Sequence, residues 1–269
     1  MRDEVAVAGA AARAAGAVVL NYYGGDYAVR DKGAIDTPAG LVDNPVTSAD
    51  LEADALLREM LLAPYPNYGW LSEETADSPE RLERSTIWIV DPIDGTKEFL
   101  EQIPEFVVSI ALVEEGVPVV AAMHNPALAD LYVASRGGGC FLNGKRVFCT
   151  AADLLAEAAL IVSRSETRRG EIEPFMPHLG EVRAVGSVAY KLGLVAAGQA
   201  DLNASVQAKN EWDVCAGDLL VREAGGEMLE LSGRRRRYNQ PDPRVYGGLV
   251  AGNPSLTRAM LELILDSPS

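Results

Sequence analysis

The sequence is poor in the residues that build disulfide frameworks and zinc sites. Its cysteines are Cys140, Cys149 and Cys215, an odd number with no C-x-x-C spacing. That excludes a paired-disulfide scaffold and a thiolate metal site, and it fits the reduced thiols of a cytoplasmic protein. Histidine is scarcer still. His124 and His178 are the only two, and no carboxylate or cysteine stands near either at a ligating spacing, so neither is assigned a role. No unbroken apolar window of about 18 residues occurs, and no basic-then-apolar leader opens the chain, so stable membrane insertion is not expected. Positive charge is also in short supply: 24 Lys and Arg against 39 Asp and Glu give a formal net charge of −15. Such a balance opposes binding to polymeric nucleic acid or to an anionic membrane surface. An anionic small-molecule partner would need a local positive site, which bound divalent cations can provide.

What is present is an ordinary globular composition, 48% apolar and 23% charged over 269 residues, enough for a large core in one domain or two joined halves. The one basic cluster, Arg234 to Arg237, reads as a solvated hairpin or loop. From Asp3 to about Asn21 an Ala-rich run reads as a packing helix stopped by Gly24-Gly25, and a second helix runs from about Ala49 to Leu62 behind a Thr47 or Ser48 cap. Alternating segments at 106–113, 117–124, 130–135 and 140–147 read as an antiparallel meander, with Asn143-Gly144 as a type I′ hairpin turn. Beyond residue 152 short strands alternate with helices, among them expected helices at 167–178, 187–197 and 212–224 and a last one from Pro254. The halves are therefore set at 1–152, α+β, and 153–269, α/β.

The most informative stretch is Trp88-Ile-Val-Asp91-Pro-Ile-Asp94-Gly-Thr96-Lys-Glu-Phe99. A β-branched apolar strand delivers Asp91 and Asp94 onto a turn, where Pro92 restricts the backbone and Gly95 allows a sharp reversal before Thr96 starts a helix. Two carboxylates with the Ile93 carbonyl between them form a hard-oxygen set suited to Mg²⁺, and the N–H groups of Gly95, Thr96 and Lys97 would face a substrate phosphate. An isolated D-x-x-D is more often a solvated turn, so the reading needs further ligands elsewhere. Ser72-Glu73-Glu74 ends a short strand, and only one of its two adjacent acids can join a shared cluster; extended geometry alone does not choose between them. Asp213 falls in the first turn of an apolar helix, where an acid also favours the dipole. Asp50, Glu52 and Asp54 have the same bland explanation. Gly186-Ser187 opens a helix and offers N–H groups to a ligand.

Together, Asp91-Pro-Ile-Asp-Gly-Thr96, the upstream Leu71-Ser-Glu73-Glu74 and the downstream Glu211-Trp212-Asp213 and Glu223-Ala-Gly-Gly226 resemble the inositol monophosphatase superfamily. The resemblance implies a five-layer α-β-α-β-α sandwich of the inositol monophosphatase and fructose-1,6-bisphosphatase type. It implies a Mg²⁺-dependent, lithium-sensitive phosphomonoesterase, homodimeric, with two or three Mg²⁺ per site and direct attack of water on the ester. By the same resemblance Glu73, Asp91, Ile93, Asp94 and Asp213 hold metal, and Thr96, oriented by Asp50, acts with Glu73 on the water. A lysine between residues 32 and 44 lies near the site in the family, and Lys32 is the candidate.

Within the superfamily, Lys97-Glu98-Phe99, Ser163-Arg164-Ser165 and Glu211 beside Trp212 resemble the 3′(2′),5′-bisphosphate nucleotidases. Val206 stands where inositol-specific members carry a glutamate. The expected reaction is hydrolysis of 3′-phosphoadenosine 5′-phosphate to AMP and phosphate, with Gly95, Thr96, Lys97, Arg164, Gly186, Ser187 and Lys209 as substrate contacts. The alternatives are an inositol-1-monophosphatase or broad sugar and polyol phosphatase, and, in another class, a non-catalytic homodimer sensing metal or nucleotide.

Overall fold

The computed structural model describes residues 3–25, 29–31, 35–37, 40–42 and 45–266. Lys32 lies outside the described residues. Helix α1 (Asp3–Tyr22) is followed by four three-residue strands: β1 (Val29–Asp31) pairs with β4 (Pro45–Thr47), and β2 (Ile35–Thr37) with β3 (Gly40–Val42). Helix α2 (Ser48–Leu62) starts at Thr47, whose side chain forms a reciprocal capping box with Asp50. By length and composition α1 could cross a membrane. Its Ala8, Ala11, Ala12, Ala15 and Val19 are instead fully buried in a core shared with α2 and the first sheet. The approach is close: a Cβ on Gly16 would come within 2.5 Å of the His124 ring. That ring is held by Nδ1 on the Asp130 carbonyl at 3.0 Å, and burial lowers its pKa, so His124 is a satisfied core residue.

The first sheet has seven strands: β5 (Gly69–Ser72), β6 (Thr86–Asp94), β7 (Val107–Glu114), β8 (Val117–Asn125), β9 (Asp130–Ser135), β10 (Gly139–Leu142) and β11 (Lys145–Val147), side by side in chain order. All neighbours are antiparallel except β5 and β6. Asn143 and Gly144 both have positive φ, 49° and 78°, as the expected hairpin turn requires.

Helix α3 (Thr96–Leu100) follows β6 directly. In the second half come β12 (Ala159–Val162), α4 (Arg164–Arg168), β13 (Glu181–Ala184), α5 (Val188–Ala196), β14 (Leu202–Ser205), β15 (Lys209–Asn210), α6 (Glu211–Glu223), β16 (Glu227–Glu230), β17 (Arg244–Val245), β18 (Leu249–Gly252) and α7 (Pro254–Asp266). Their main sheet runs β13-β12-β14-β18-β16, with β12 parallel to both neighbours and β18 antiparallel to both of its own.

Period-two alternation assigns the layers. Trp88, Val90, Val108, Ile110 and Leu112 share a core with α1 and α2, whereas Ile87, Ile89, Ala111 and Val113 pack with α5 and α6. Ile161 and Ala251 of the second sheet join that central core, while Leu160, Val162 and Val250 pack with Leu256 and Met260 of α7. The result is α1/α2, sheet, α5/α6, sheet, α7: the five-layer sandwich.

Three expectations are corrected. The helix expected at 167–178 is a five-residue helix with a separate 3₁₀ turn at Met176–His178, because Ser163 and Glu166 cap it early and Gly170, at φ 73°, ends it. Strand β16 was not anticipated, since its alternating Glu227-Met-Leu-Glu230 is too short to stand out. The arginine run is only partly solvated: Arg236 pairs with buried Glu211 at 3.2 Å and with Glu230 at 3.4 Å.

The central layer is thin where glycines meet side chains. A Cβ on Gly217 of α6 would come within 2.5 Å of the Leu192 Cβ of α5. Gly217→Val should therefore cost about 1–3 kcal/mol by overpacking, read as a lower urea midpoint; an unchanged midpoint would contradict the close helix contact.

Candidate active site

Strand β6 carries Asp91 and Asp94 to the edge of a cavity of about 760 Å³. A β-bulge lies between them, for Asp91 pairs with Ser109 and Asp94 with Val107, three residues advanced against two. The odd step brings two acids three apart toward one point. The parallel strand β5 ends beside β6, and Glu73 N–H donates to the Val90 carbonyl at 3.3 Å, which sets Glu73 next to Asp91. Asp213 arrives from the first turn of α6, where its Oδ2 accepts the Asn210 N–H at 2.7 Å. It serves as a capping residue and a cavity-lining acid at once.

Ligand oxygens of Asp91, Asp94 and Asp213 lie within 4.8 Å of one another. Glu73 lines the same cavity, and its charge acts on Asp91. Burial, then repulsion from Glu73, Asp94 and Asp213, pushes the Asp91 carboxyl well above the usual carboxylate range. Burial, then Asp94 and Glu73, does the same to Asp213. Asp91 Oδ1 accepts the Ile93 N–H at 3.0 Å, while its Oδ2 is buried with no hydrogen-bond partner among the described residues. An orphaned carboxylate oxygen within a cluster of hard oxygen donors is what a divalent cation would satisfy, so these residues fit Mg²⁺.

Gly95 sits at φ 102°, and a Cβ there would meet the Glu105 carbonyl at 2.8 Å, so only glycine suits this reversal. Beyond it, Thr96 Oγ1 lies 3.3 Å from Asp50 Oδ1 and 3.1 Å from the Ile93 carbonyl. Asp50 Oδ2 accepts both the N–H and the hydroxyl of Thr47, at 2.7 and 2.5 Å, so the capping acid also reaches Thr96.

The other anticipated residues divide. Ile93, Gly95, Lys97, Arg164, Gly186 and Ser187 line the cavity; Asp50 and Lys209 are not among its lining residues. Several anticipated contacts are already engaged within the protein. Arg164 pairs with Glu98 at 3.2 Å and with Glu105 at 2.6 Å. The Gly186 N–H, expected to face a ligand, donates to Glu105 Oε2 at 2.6 Å. The Lys209 amine donates to the Gln207 and Ala208 carbonyls at 3.3 and 3.4 Å. Glu211, fully buried, accepts the N–H groups of Asn239 and Gln240 at 2.6 and 3.1 Å, so it secures the loop before β17. Lys191 was missed. Its side chain is buried at the cavity wall and donates to the Ser187 carbonyl at 2.7 Å, and burial brings its pKa down to about 8. A lone lysine inside an apolar helix was the available signal.

The profile of the Inositol monophosphatase family matches residues 1–268. The chain belongs to the inositol monophosphatase family. It is 36% identical over 226 residues to the inositol-1-monophosphatase of Rhizobium meliloti, covering 81% of this chain and 82% of that one. It is 32% identical to the Nus factor SuhB of Escherichia coli K12, over 100% of this chain and 98% of the other. Among solved structures, the extragenic suppressor protein suhB of Bartonella henselae superposes with a TM-score of 0.82 at 29% identity, covering 98% of each chain. The Thermotoga maritima IMPase also gives 0.82, at 26% identity and 98% coverage of each. As a member of the inositol monophosphatase family, the chain is a phosphoric monoester hydrolase.

The acidic cluster makes a stability prediction. A carboxyl whose folded pKa is raised favours the fold while protonated, and that contribution is lost as pH rises from the unfolded value through the raised one. In chelator-treated protein, Asp91→Asn should raise the thermal midpoint, by about 2–4 °C per kcal/mol relieved, and by more at pH 8 than at pH 5. A gain independent of pH would contradict the repulsion.

Proposed function

We propose that this chain is a Mg²⁺-dependent phosphomonoesterase acting on small polyol monophosphates of the inositol 1-phosphate kind, with broad rather than inositol-specific selectivity. The observation that carries it is the meeting of Asp91, Asp94 and Asp213 within 4.8 Å at one cavity. Glu73, Asp91 and the Ile93 carbonyl would hold one ion, and Asp91, Asp94 and Asp213 a second. Bound there, Mg²⁺ neutralises the carboxylates and polarises the phosphoryl group. The phosphate faces the backbone N–H groups of Gly95, Thr96 and Lys97. Thr96 Oγ1, whose one proton lies within reach of Asp50 Oδ1 and the Ile93 carbonyl, has lone pairs to accept a hydrogen bond from the attacking water, and it would pass its own proton to Asp50 as it takes the water's.

Three considerations favour a monophosphate over the bisphosphate nucleotide. The relatives described above are named inositol monophosphatases or SuhB proteins. Arg164, the candidate for a second phosphate, is already balanced by Glu98 and Glu105, so recruiting it would break two ion pairs. Glu211, taken as a mark of nucleotidases, faces the loop at Asn239 rather than the cavity. Broad selectivity is supported by the resemblance, which puts Val206 where inositol-specific members carry a glutamate, since a valine side chain cannot accept a hydrogen bond from a polyol hydroxyl.

The reading is tested by kcat/KM for inositol 1-phosphate and for 3′-phosphoadenosine 5′-phosphate on one preparation. The inositol ester should be the better substrate; a higher value for the nucleotide would restore the nucleotidase assignment. Asp91→Asn should abolish turnover at every Mg²⁺ concentration, and Thr96→Val should lower kcat about 10²–10⁴-fold. Li⁺ should inhibit in the millimolar range and less so as Mg²⁺ is raised; an inhibition curve indifferent to Mg²⁺ would argue against competition at the Asp213 side of the site.

A further inference from the structure

We infer that Ser187 is a positioning residue that holds the Asp94 carboxylate in the one orientation able to receive a cation. The two residues come from different halves of the molecule. Asp94 ends β6 of the first sheet, and Ser187 is the N-cap of α5, 93 positions later.

The Ser187 hydroxyl donates to Asp94 Oδ2 at 2.6 Å, and the Ala189 N–H donates to the same oxygen. Two donors occupy both lone pairs of Oδ2, so Oδ1 is the oxygen left for a cation. The direction of the hydroxyl is itself fixed. Ser187 Oγ accepts the Tyr190 N–H at 3.0 Å, an amide that can only donate, so the single hydroxyl proton is directed to Asp94. An unrestrained carboxylate turns about its last torsion; this one is gripped from the opposite half of the fold.

The segment around Ser187 is anchored on both sides. Before it, the Gly186 N–H is bound by Glu105 Oε2 at 2.6 Å, and a Cβ at that position would lie 2.2 Å from Glu98 Cγ. After it, Lys191 Nζ reaches the Ser187 carbonyl at 2.7 Å and the Val185 carbonyl at 3.3 Å. Ser187 has φ 54°, a region that residues with a side chain rarely adopt, yet it is only 7% exposed. Strain retained at a buried serine is accounted for by a hydroxyl that must be delivered to one place. The sequence pointed to Ser187 as a substrate contact; its hydroxyl is committed to Asp94 instead.

The inference rests on the assignment of Asp91, Asp94 and Asp213 as metal holders, not on the identity of the substrate. Mg²⁺ binding to the metal-stripped full chain is measured by calorimetry, and in parallel by the rise of the thermal midpoint with Mg²⁺, for wild type, Ser187→Ala, Ser187→Gly and Asp91→Asn. Both Ser187 variants should bind Mg²⁺ about 10–100-fold more weakly, while KM for the phosphate ester at saturating Mg²⁺ is unchanged. Glycine adopts the positive φ without strain, so Ser187→Gly separates the hydroxyl from the backbone and remains informative if Ser187→Ala folds poorly. A folded Ser187→Gly protein that binds Mg²⁺ as tightly as wild type overturns the inference. So does a raised KM with unaltered Mg²⁺ affinity, which would mark a substrate contact. Wild type that binds no Mg²⁺, or Asp91→Asn that binds it equally well, refutes the metal site itself and is thereby told apart from failure of the Ser187 role.

Discussion

The crowding of desolvated like charges at one cavity is the constraint on which this molecule depends. Asp91, Asp94 and Asp213 converge within 4.8 Å, and burial together with their mutual field drives the first and last of them toward the neutral acid. The fold sustains the arrangement by tethering one oxygen of each. Asp91 Oδ1 takes the Ile93 amide, Asp94 Oδ2 takes Ser187 and Ala189, and Asp213 Oδ2 takes the Asn210 amide. Each carboxylate is thus held in place by backbone or hydroxyl donors while keeping a second oxygen for positive charge. The cluster is a set of oxygen donors that could hold a cation, whose charge would act strongly in so low a dielectric.

That constraint ties the layers to one another. Asp91 and Asp94 belong to the first sheet, and Asp213 to a helix of the central layer, so the site exists only when the helix seats against the sheet. The glycines at 193 and 217 allow this seating, since Cβ atoms there would meet Met123 of the sheet at 2.4 Å and Leu192 of the neighbouring helix at 2.4 Å. The second half contributes again through Arg164, whose pairing with Glu98 and Glu105 closes the cavity wall across the junction. With its partners in place this arginine is part of the wall.

Much was legible from the chain alone where a local rule applies. The strand before Asp91, the capping of α2 by Thr47, the Asn143-Gly144 turn and the Gly95 reversal all follow from interactions within a few residues. The acids at 91, 94 and 213 were singled out through the family resemblance, since an isolated D-x-x-D and an acid in the first turn of a helix each have a bland explanation of their own. Short and interrupted elements were less legible: the helix expected at 167–178 was stopped by Gly170, and the strand at 227–230 has too few residues to display a period.

What the sequence by itself determined, then, was the order of elements, the family resemblance and the acids of the site, since periodicity, turn chemistry and motif spacing are carried by neighbouring residues. Tertiary structure alone decided which of the nearby charges are available. Arg164, Glu211, Gly186 and Ser187 look alike in sequence as polar or flexible positions near motifs, yet each is committed to a partner 25 to 93 residues away. Lys191 was signalled in the sequence as a lone lysine in an apolar helix, but that it lines the cavity was decided by the packing of that helix. Hydrogen-bond commitments across such separations depend on how layers stack, and no local pattern encodes them.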